Sequence, residues 1–88
     1  MAKIINATGV SIAVSLGGGK WQAVSPVDTT GETINNIVSV NTIKDGQGKE
    51  HKLVTPVTSI TTGEKYTIYL TDATYVLWKD GVKVSDYK

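Results

Sequence analysis

The sequence predicts an all-β fold: a small antiparallel β-sandwich or barrel of about seven or eight short strands, built from repeated hairpin units. The first observation is composition, with 11 Val, 8 Ile and 12 Thr against 4 Leu and 3 Glu in 88 residues. Branching at Cβ suits a pleated sheet and disfavours a helix. The second is apolar–polar alternation with a period of two, and the third is a glycine-containing turn after most runs.

Strands are expected near residues 2–6, 9–16, 20–25, 32–43, 48–55, 64–70, 74–79 and 82–86. The clearest alternation places Val10, Ile12, Val14 and Leu16 on one face of the second of these strands. Such a pattern indicates a strand with one buried face. The expected core comprises Ile4, Val10, Ile12, Val14, Leu16, Val38, Val40, Leu53, Ile68, Leu70, Leu77 and Val82.

Turns are predicted where glycine follows glycine or aspartate, because these residues accept the positive φ of tight hairpins. The three strongest are Gly17-Gly18-Gly19, Asp45-Gly46 and Asp80-Gly81, and Thr71-Asp72-Ala73 is a weaker one. Pro26 and Pro56 cannot donate to a β-ladder, so each is expected at a strand end or a sheet edge.

Short segments recur in the same order along the chain. Val24-Ser25-Pro26-Val27 returns as Val54-Thr55-Pro56-Val57, and Thr29-Thr30-Gly31-Glu32 returns as Thr61-Thr62-Gly63-Glu64. A single hairpin cannot bury its apolar face, so repeated hairpins would have to pack together. We therefore expect one domain over residues 1–88, with two or three internal repeats near 1–26, 27–56 and 57–88.

The charge pattern disfavours a nucleic-acid partner. The formal net charge is +1, and all nine basic residues are lysines spread among the eight acids. Nucleic-acid recognition usually needs a clustered basic face and often the planar arginine fork. No apolar run approaches the roughly 18 residues of a membrane span, and none resembles a leader, which predicts synthesis in the cytoplasm; incorporation into an extracellular particle fits this pattern too.

The sequence supplies no pattern of residues that predicts catalysis or metal binding. Cysteine is absent, which excludes disulfides and thiolate chemistry. Gly17-Gly18-Gly19-Lys20 lacks the spacing and the following helix of a phosphate-binding loop. His51 is the sole histidine, and it is interpreted as an exposed or half-exposed strand residue. We therefore expect a non-enzymatic protein with no catalytic residue, cofactor or metal.

The candidate binding residues are aromatic: Trp21, Tyr69, Tyr75 and Trp78. Aromatic side chains with a polar atom are enriched at protein interfaces and also stack on sugars. In the run 75–78, Tyr75 and Leu77 share one strand face, while Val76 and Trp78 share the other. Either both faces of this strand are covered, or one of them is a contact surface.

Two functions remain open on this basis. The first is a structural or protein-interaction module that associates with itself or with another protein, such as an accessory virion component or a small inhibitor. The alternative is a lectin-like module that binds carbohydrate or another ligand.

Overall fold

The computed structural model describes residues 2–17, 19–26, 32–34, 39–58 and 63–88. Within these ranges the chain forms strands and turns without a helix, which confirms the all-β prediction. The strands are β1 (Ala2–Ala7), β2 (Ile12–Gly17), β3 (Lys20–Val24), β4 (Glu32–Ile34), β5 (Ser39–Lys44), β6 (Glu50–Lys52), β7 (Lys65–Thr71), β8 (Thr74–Lys79) and β9 (Val82–Asp86).

The strands lie in two sheets. One has five strands in the order β4-β1-β7-β8-β9, and the other has four in the order β3-β2-β5-β6. Strand β1 runs parallel to β7, with Ile4 opposite Tyr66 and Asn6 opposite Ile68. The prediction of a purely antiparallel arrangement is therefore wrong at this ladder. A parallel pair needs a long connection, and β2 to β6 provide it.

Both sheets contribute to one buried cluster. Alternation along β7 and β8 turns Tyr66, Ile68, Tyr75 and Leu77 inward. The four-stranded sheet contributes residues from β2, β3 and β5. Seven of the expected core residues are confirmed as buried: Ile4, Ile12, Val14, Val40, Leu53, Ile68 and Leu77. Two sheets around a shared core are consistent with a β-sandwich.

The sheets are also hydrogen-bonded to each other along one side. The backbones of Lys52 and Lys88 bond in both directions, at N···O distances of 3.1 and 2.7 Å, and Val54 N–H donates to Asp86 O at 2.9 Å. Among the described residues, no ladder joins β3 to β4 on the opposite side. The barrel is therefore not closed.

Three expected core residues are instead exposed, Val10 by 42%, Leu70 by 39% and Val82 by 68%. Leu70 and Val82 have the spacing of the inner face, but they lie at strand ends beside hairpin turns. Val10 precedes β2, which begins only at Ile12. The side chain of Leu16 and all of Val38 lie outside the described residues.

The hairpin predictions are confirmed at two turns, and Asp45-Gly46 begins a longer β5–β6 turn whose positive φ lies at Gly48 instead. Asp80 and Gly81 join β8 to β9 with φ values of 48° and 83°, and Asp72 and Ala73 join β7 to β8 with φ values of 50° and 63°. Two consecutive positive φ values match the type I′ turn, whose twist suits a two-residue hairpin. Ala73 is therefore a strained residue in a position that favours glycine.

The recurring segments do not share one environment. Val24 is fully buried at the end of β3, whereas Val54 is 55% exposed. Both prolines follow strands and lie outside the ladders, as expected. The threonine-rich copies fall largely outside the described residues, so the internal duplication stays a prediction.

A buried amide connects the two sheets. Asn6 of β1 is fully buried, and its Nδ2 donates to Val10 O at 2.6 Å and to Val24 O at 2.8 Å. Its Oδ1 accepts from Thr8 N at 3.0 Å and from Thr8 Oγ1 at 2.6 Å. All four hydrogen-bonding positions of the amide are thus occupied. Although Asn6-Ala7-Thr8 matches the glycosylation pattern, this nitrogen is inaccessible in the folded chain.

Replacing Asn6 should destabilise the fold. The Asn6→Ala variant leaves the carbonyls of Val10 and Val24 without this donor, so the free energy of unfolding should fall by about 1–3 kcal/mol. Urea denaturation followed by tryptophan fluorescence measures this. Gln47→Ala, at an exposed turn position, serves as the control and should change stability by less than about 0.5 kcal/mol. Equal losses in the two variants would contradict the assigned role.

The two type I′ turns allow a reciprocal test of backbone strain. Ala73→Gly should raise the free energy of unfolding by about 0.5–1 kcal/mol, because glycine adopts positive φ without a Cβ clash. Gly81→Ala should lower it by about 1 kcal/mol, although a Cβ at Gly81 would meet no atom within 4 Å. Thermal and urea unfolding check both signs. A destabilised Ala73→Gly variant would show that strain at this turn is not the controlling term.

Candidate functional site

The outward face of the five-stranded sheet carries the candidate site. Because Ile68 and Leu77 point into the core, the alternate residues of β7 and β8 point away from it. The ladder places Tyr69 opposite Val76 and Thr67 opposite Trp78. The aromatic residues Tyr69 and Trp78 are therefore diagonal neighbours on this face.

Tyr69 and Trp78 form an edge-to-face pair. Their ring centroids are 6.0 Å apart and the ring planes meet at 79°, a geometry favoured by aromatic quadrupoles. Tyr69 is 43% exposed, Trp78 is half-buried and Val76 is nearly buried between the flanking strands. The three residues line a groove of about 550 Å³, called the outer groove below.

Polar side chains line the rest of the outer groove. Thr71 and Thr74 face each other at the end of the β7–β8 hairpin, next to Asp72. On the other flank, Lys83 Nζ lies 3.2 Å from Asp86 Oδ1, and both side chains are about half exposed. An ion pair this exposed contributes about 0–1 kcal/mol to stability. The groove thus combines an aromatic centre with accessible hydroxyl, carboxylate and ammonium groups.

A β-bulge in β9 positions this ion pair. The register shifts between Leu77 and Trp78, so Lys83 lies opposite Trp78 while Asp86 lies opposite Val76. The bulge turns Ser85 toward the core, where its Oγ accepts from Thr55 N at 2.9 Å. It also leaves the two charged residues on the outward face.

The other two aromatic candidates lie elsewhere. Tyr75 is nearly buried, belongs to the core, and packs against His51 with ring centroids 4.9 Å apart. Trp21 lies half-buried on β3 in the other sheet, with Lys44 Nζ 4.3 Å from its ring centroid. The structure therefore brings together Tyr69 and Trp78 of the four predicted residues, and it places Tyr75 in the interior and Trp21 at a distant cation–π contact.

His51 forms a structural pair with Asp45. Its Nε2 lies 2.9 Å from Asp45 Oδ2, while Asp45 Oδ1 accepts from the backbone N–H groups of Gln47 at 2.9 Å and Lys49 at 3.0 Å. The hydrogen bond with His51, followed by those from the backbone, lowers the pKa of Asp45 from its ordinary 3.8. The pair thus fixes the β5–β6 turn. Among the described residues, no three His, Asp or Glu side chains cluster as metal ligands would.

A second ion pair within the chain lies at the start of β7. Lys79 and Glu64 form an ion pair beside the buried Tyr66, and hydrogen bonding to Glu64 raises the pKa of Lys79. Burial, followed by the charge of Glu64, raises the pKa of Tyr66. These groups lie on the inner side of the sheet and do not line the outer groove.

Sequence reasoning did not identify the charged residues of the groove. Lys83 and Asp86 are three residues apart, and the bulge that turns both outward has no sequence signal beyond the unusual run Val82-Lys83-Val84-Ser85. The sequence predicts only a turn at Asp72. The hairpin register places Asp72 at the turn end of the face that carries Tyr69 and Trp78, because β7 ends and β8 begins there.

Comparison of the chain with models of known protein families, with curated proteins and with solved structures gives no significant match in any of the three. The described part of the chain has no helix long and apolar enough to cross a bilayer.

Lowering the pH should reveal how Asp45 contributes to the free energy of unfolding. Because its pKa is lowered in the folded state, Asp45 contributes stability above pH 3.8, and this contribution is lost as the pH falls through the folded value. The Asp45→Asn variant should be less stable at neutral pH and should lose less stability between about pH 5 and 2. Urea midpoints across this range measure the difference.

The control for this titration is His51→Gln, which removes the first cause of the shift but keeps the two backbone donors. Between about pH 5 and 2, His51→Gln should lose less stability than the wild type and more than Asp45→Asn. If the wild type and Asp45→Asn had parallel acid profiles, the carboxylate would not be linked to folding in this way.

Proposed function

We propose that the protein is a non-enzymatic interaction module that binds a protein surface through the outer groove. The observation that supports this most directly is the Tyr69–Trp78 pair, which is kept partly exposed on a sheet whose other face fills the core. Accessory particle components and small inhibitors are two settings in which such a module would act.

The composition of the groove favours protein recognition. Tyrosine and tryptophan dominate the energetic centres of protein interfaces, where surrounding residues exclude water. Here the aromatic pair has Thr71 and Thr74 at one end and the Lys83–Asp86 pair along one flank. An apolar centre with a charged margin is the usual anatomy of a protein interface.

Rigidity also favours binding. Tyr69 and Trp78 are on central strands that are paired on both sides, and their edge-to-face contact restricts both rings. A binding surface that is already ordered loses little conformational entropy on association. The pair is therefore better suited to recognition than an equally exposed aromatic side chain on a loop.

Carbohydrate binding is the second candidate. Sugars stack their apolar C–H faces on aromatic rings while carboxylates and hydroxyls bond their hydroxyl groups. Tyr69 and Trp78 could supply the stacking surface, and Asp72, Thr71 and Thr74 could supply polar partners at the same end of the groove.

A Trp78→Ala variant should lose binding. Truncating a central tryptophan typically costs about 2 kcal/mol or more, which is at least about a thirtyfold loss of affinity. Trp21→Ala is the matched control, because Trp21 is also half-buried on a strand but lies in the other sheet. Affinity capture with identified partners, sedimentation of the isolated protein and a glycan array would provide the readouts.

The outcomes separate the two candidates. Loss of a protein partner or of self-association in Trp78→Ala, with both retained in Trp21→Ala, supports the protein-interaction function. Glycan binding lost in Trp78→Ala supports the lectin-like function instead. If Trp78→Ala folds normally and binds as the wild type does, the outer groove is not the binding surface.

A further inference from the structure

We propose that the occupant of the outer groove is a second copy of this chain, docked face to face with its strands antiparallel to those of the first. This inference rests on the proposed protein-interaction function and specifies the partner. It is drawn from the distribution of charge along the outward face of the five-stranded sheet.

One end of this face is basic. The parallel ladder places Lys3 directly opposite Lys65, and both side chains are exposed. Neighbouring like charges on one face of a sheet are destabilising. In the described part of the chain, neither lysine forms an ion pair. Asp80, in the adjacent β8–β9 turn, donates its backbone N–H to Lys65 O at 2.9 Å but forms no ion pair with either lysine.

The opposite end is acidic. Asp72 occupies the turn directly after β7, seven residues beyond Lys65. Asp86, opposite Val76, lies on the Asp72 side of Ile68. Lys83, opposite Trp78, lies on the Lys65 side of Ile68. At about 3.3 Å per residue, the basic and acidic ends are about 20 Å apart, with the aromatic pair between them.

The charge gradient along the strands determines which twofold-symmetric dimer is favourable. In a symmetric dimer each residue's contact occurs twice, so the surface must complement itself. A twofold axis along the strands would place the two basic ends together. A twofold axis across the strands, at the level of Ile68, would instead place each basic end over the acidic end of the second copy.

The second arrangement gives specific contacts. Each Lys65 would lie over Asp72 of the second copy, and each Lys83 would lie over its Asp86. Trp78 would cover Val76 of the second copy, so the two aromatic pairs would form the centre of the interface. Every charged group of the outer groove would then have an opposite charge across the interface.

The available area implies a weak dimer. Four strands about 20 Å long and the three-residue β4, spaced by about 4.8 Å, present about 430 Å² per copy, or about 860 Å² in total. This total buried area is in the range of weak, transient protein interfaces. We therefore expect dissociation constants in the micromolar to millimolar range, with weakening at high salt because the rim charges are exposed.

Charge exchange within one chain tests the orientation. Lys65→Glu and Asp72→Lys, made singly, should each raise the dissociation constant about five- to thirtyfold, since each creates two like-charge contacts. The double variant reverses the gradient and should restore the dissociation constant to within about twofold of wild type. Lys20→Glu, an exposed site on the four-stranded sheet, is the control and should have little effect.

The measurement is sedimentation equilibrium at low and high salt, with urea unfolding of every variant. Asp72→Asn, which tolerates positive φ, replaces Asp72→Lys if the lysine variant is unstable, and it should give a smaller loss. An equimolar mixture of the Lys65→Glu and Asp72→Lys single variants should form a heterodimer tighter than either homodimer.

A wild-type chain that stays monomeric up to millimolar concentration overturns this inference. A dimer whose single variants are not rescued by the double variant also overturns it. If the chain is monomeric but Trp78→Ala still loses a captured partner, the interaction function stands and the self-docking does not. A dimer that is insensitive to Trp78→Ala and to both charge changes rejects both proposals.

Discussion

The fold depends on polar side chains that reach from one sheet to backbone groups of the other. Asn6 links the end of β1 to Val24 of β3, and the Tyr87 hydroxyl donates to Val40 O of β5 at 2.5 Å. Ser85 of β9 accepts from Thr55 N in the segment after β6. Asn41 of β5 secures the same segment from its own sheet, through paired bonds to Val57 of 2.7 and 2.9 Å. An 88-residue chain buries a modest apolar core. These bonds supply the specificity of sheet packing that hydrophobic contact alone does not provide.

Local patterns predicted most of the strands because strand alternation and hairpin turns are encoded within a few residues. The dipeptide Asp80-Gly81 and the alternation around Ile12 are examples. Long-range features had no such signal. Nothing near Ile4 indicates that β1 pairs in parallel with β7, and period-two spacing cannot show that Leu70 lies past the end of the core. The sequence also gives no sign that Tyr87 is buried, with its hydroxyl donating to the carbonyl of Val40.

The candidate site was predictable only in part. The run 75–78 showed that both faces of β8 are apolar, yet the sequence could not decide whether Tyr75 or Trp78 would face solvent. That choice is made by the neighbouring strands: β7 places Ile68 beside Leu77 on the inner side. The charges around the groove were harder to anticipate, since Lys3 and Lys65 meet through a parallel ladder between distant parts of the chain.

The position of β1 between β4 and β7 has a consequence for biosynthesis. Strand β1 is synthesised well before β7, so its parallel ladder cannot form until β7 has left the ribosome. The side of the core near Val40 closes only when Tyr87 is available. Contacts between residues so far apart in sequence slow folding. Until then, the nascent chain exposes unpaired strand edges. When several ribosomes translate one messenger RNA, such edges on neighbouring nascent chains would lie close together.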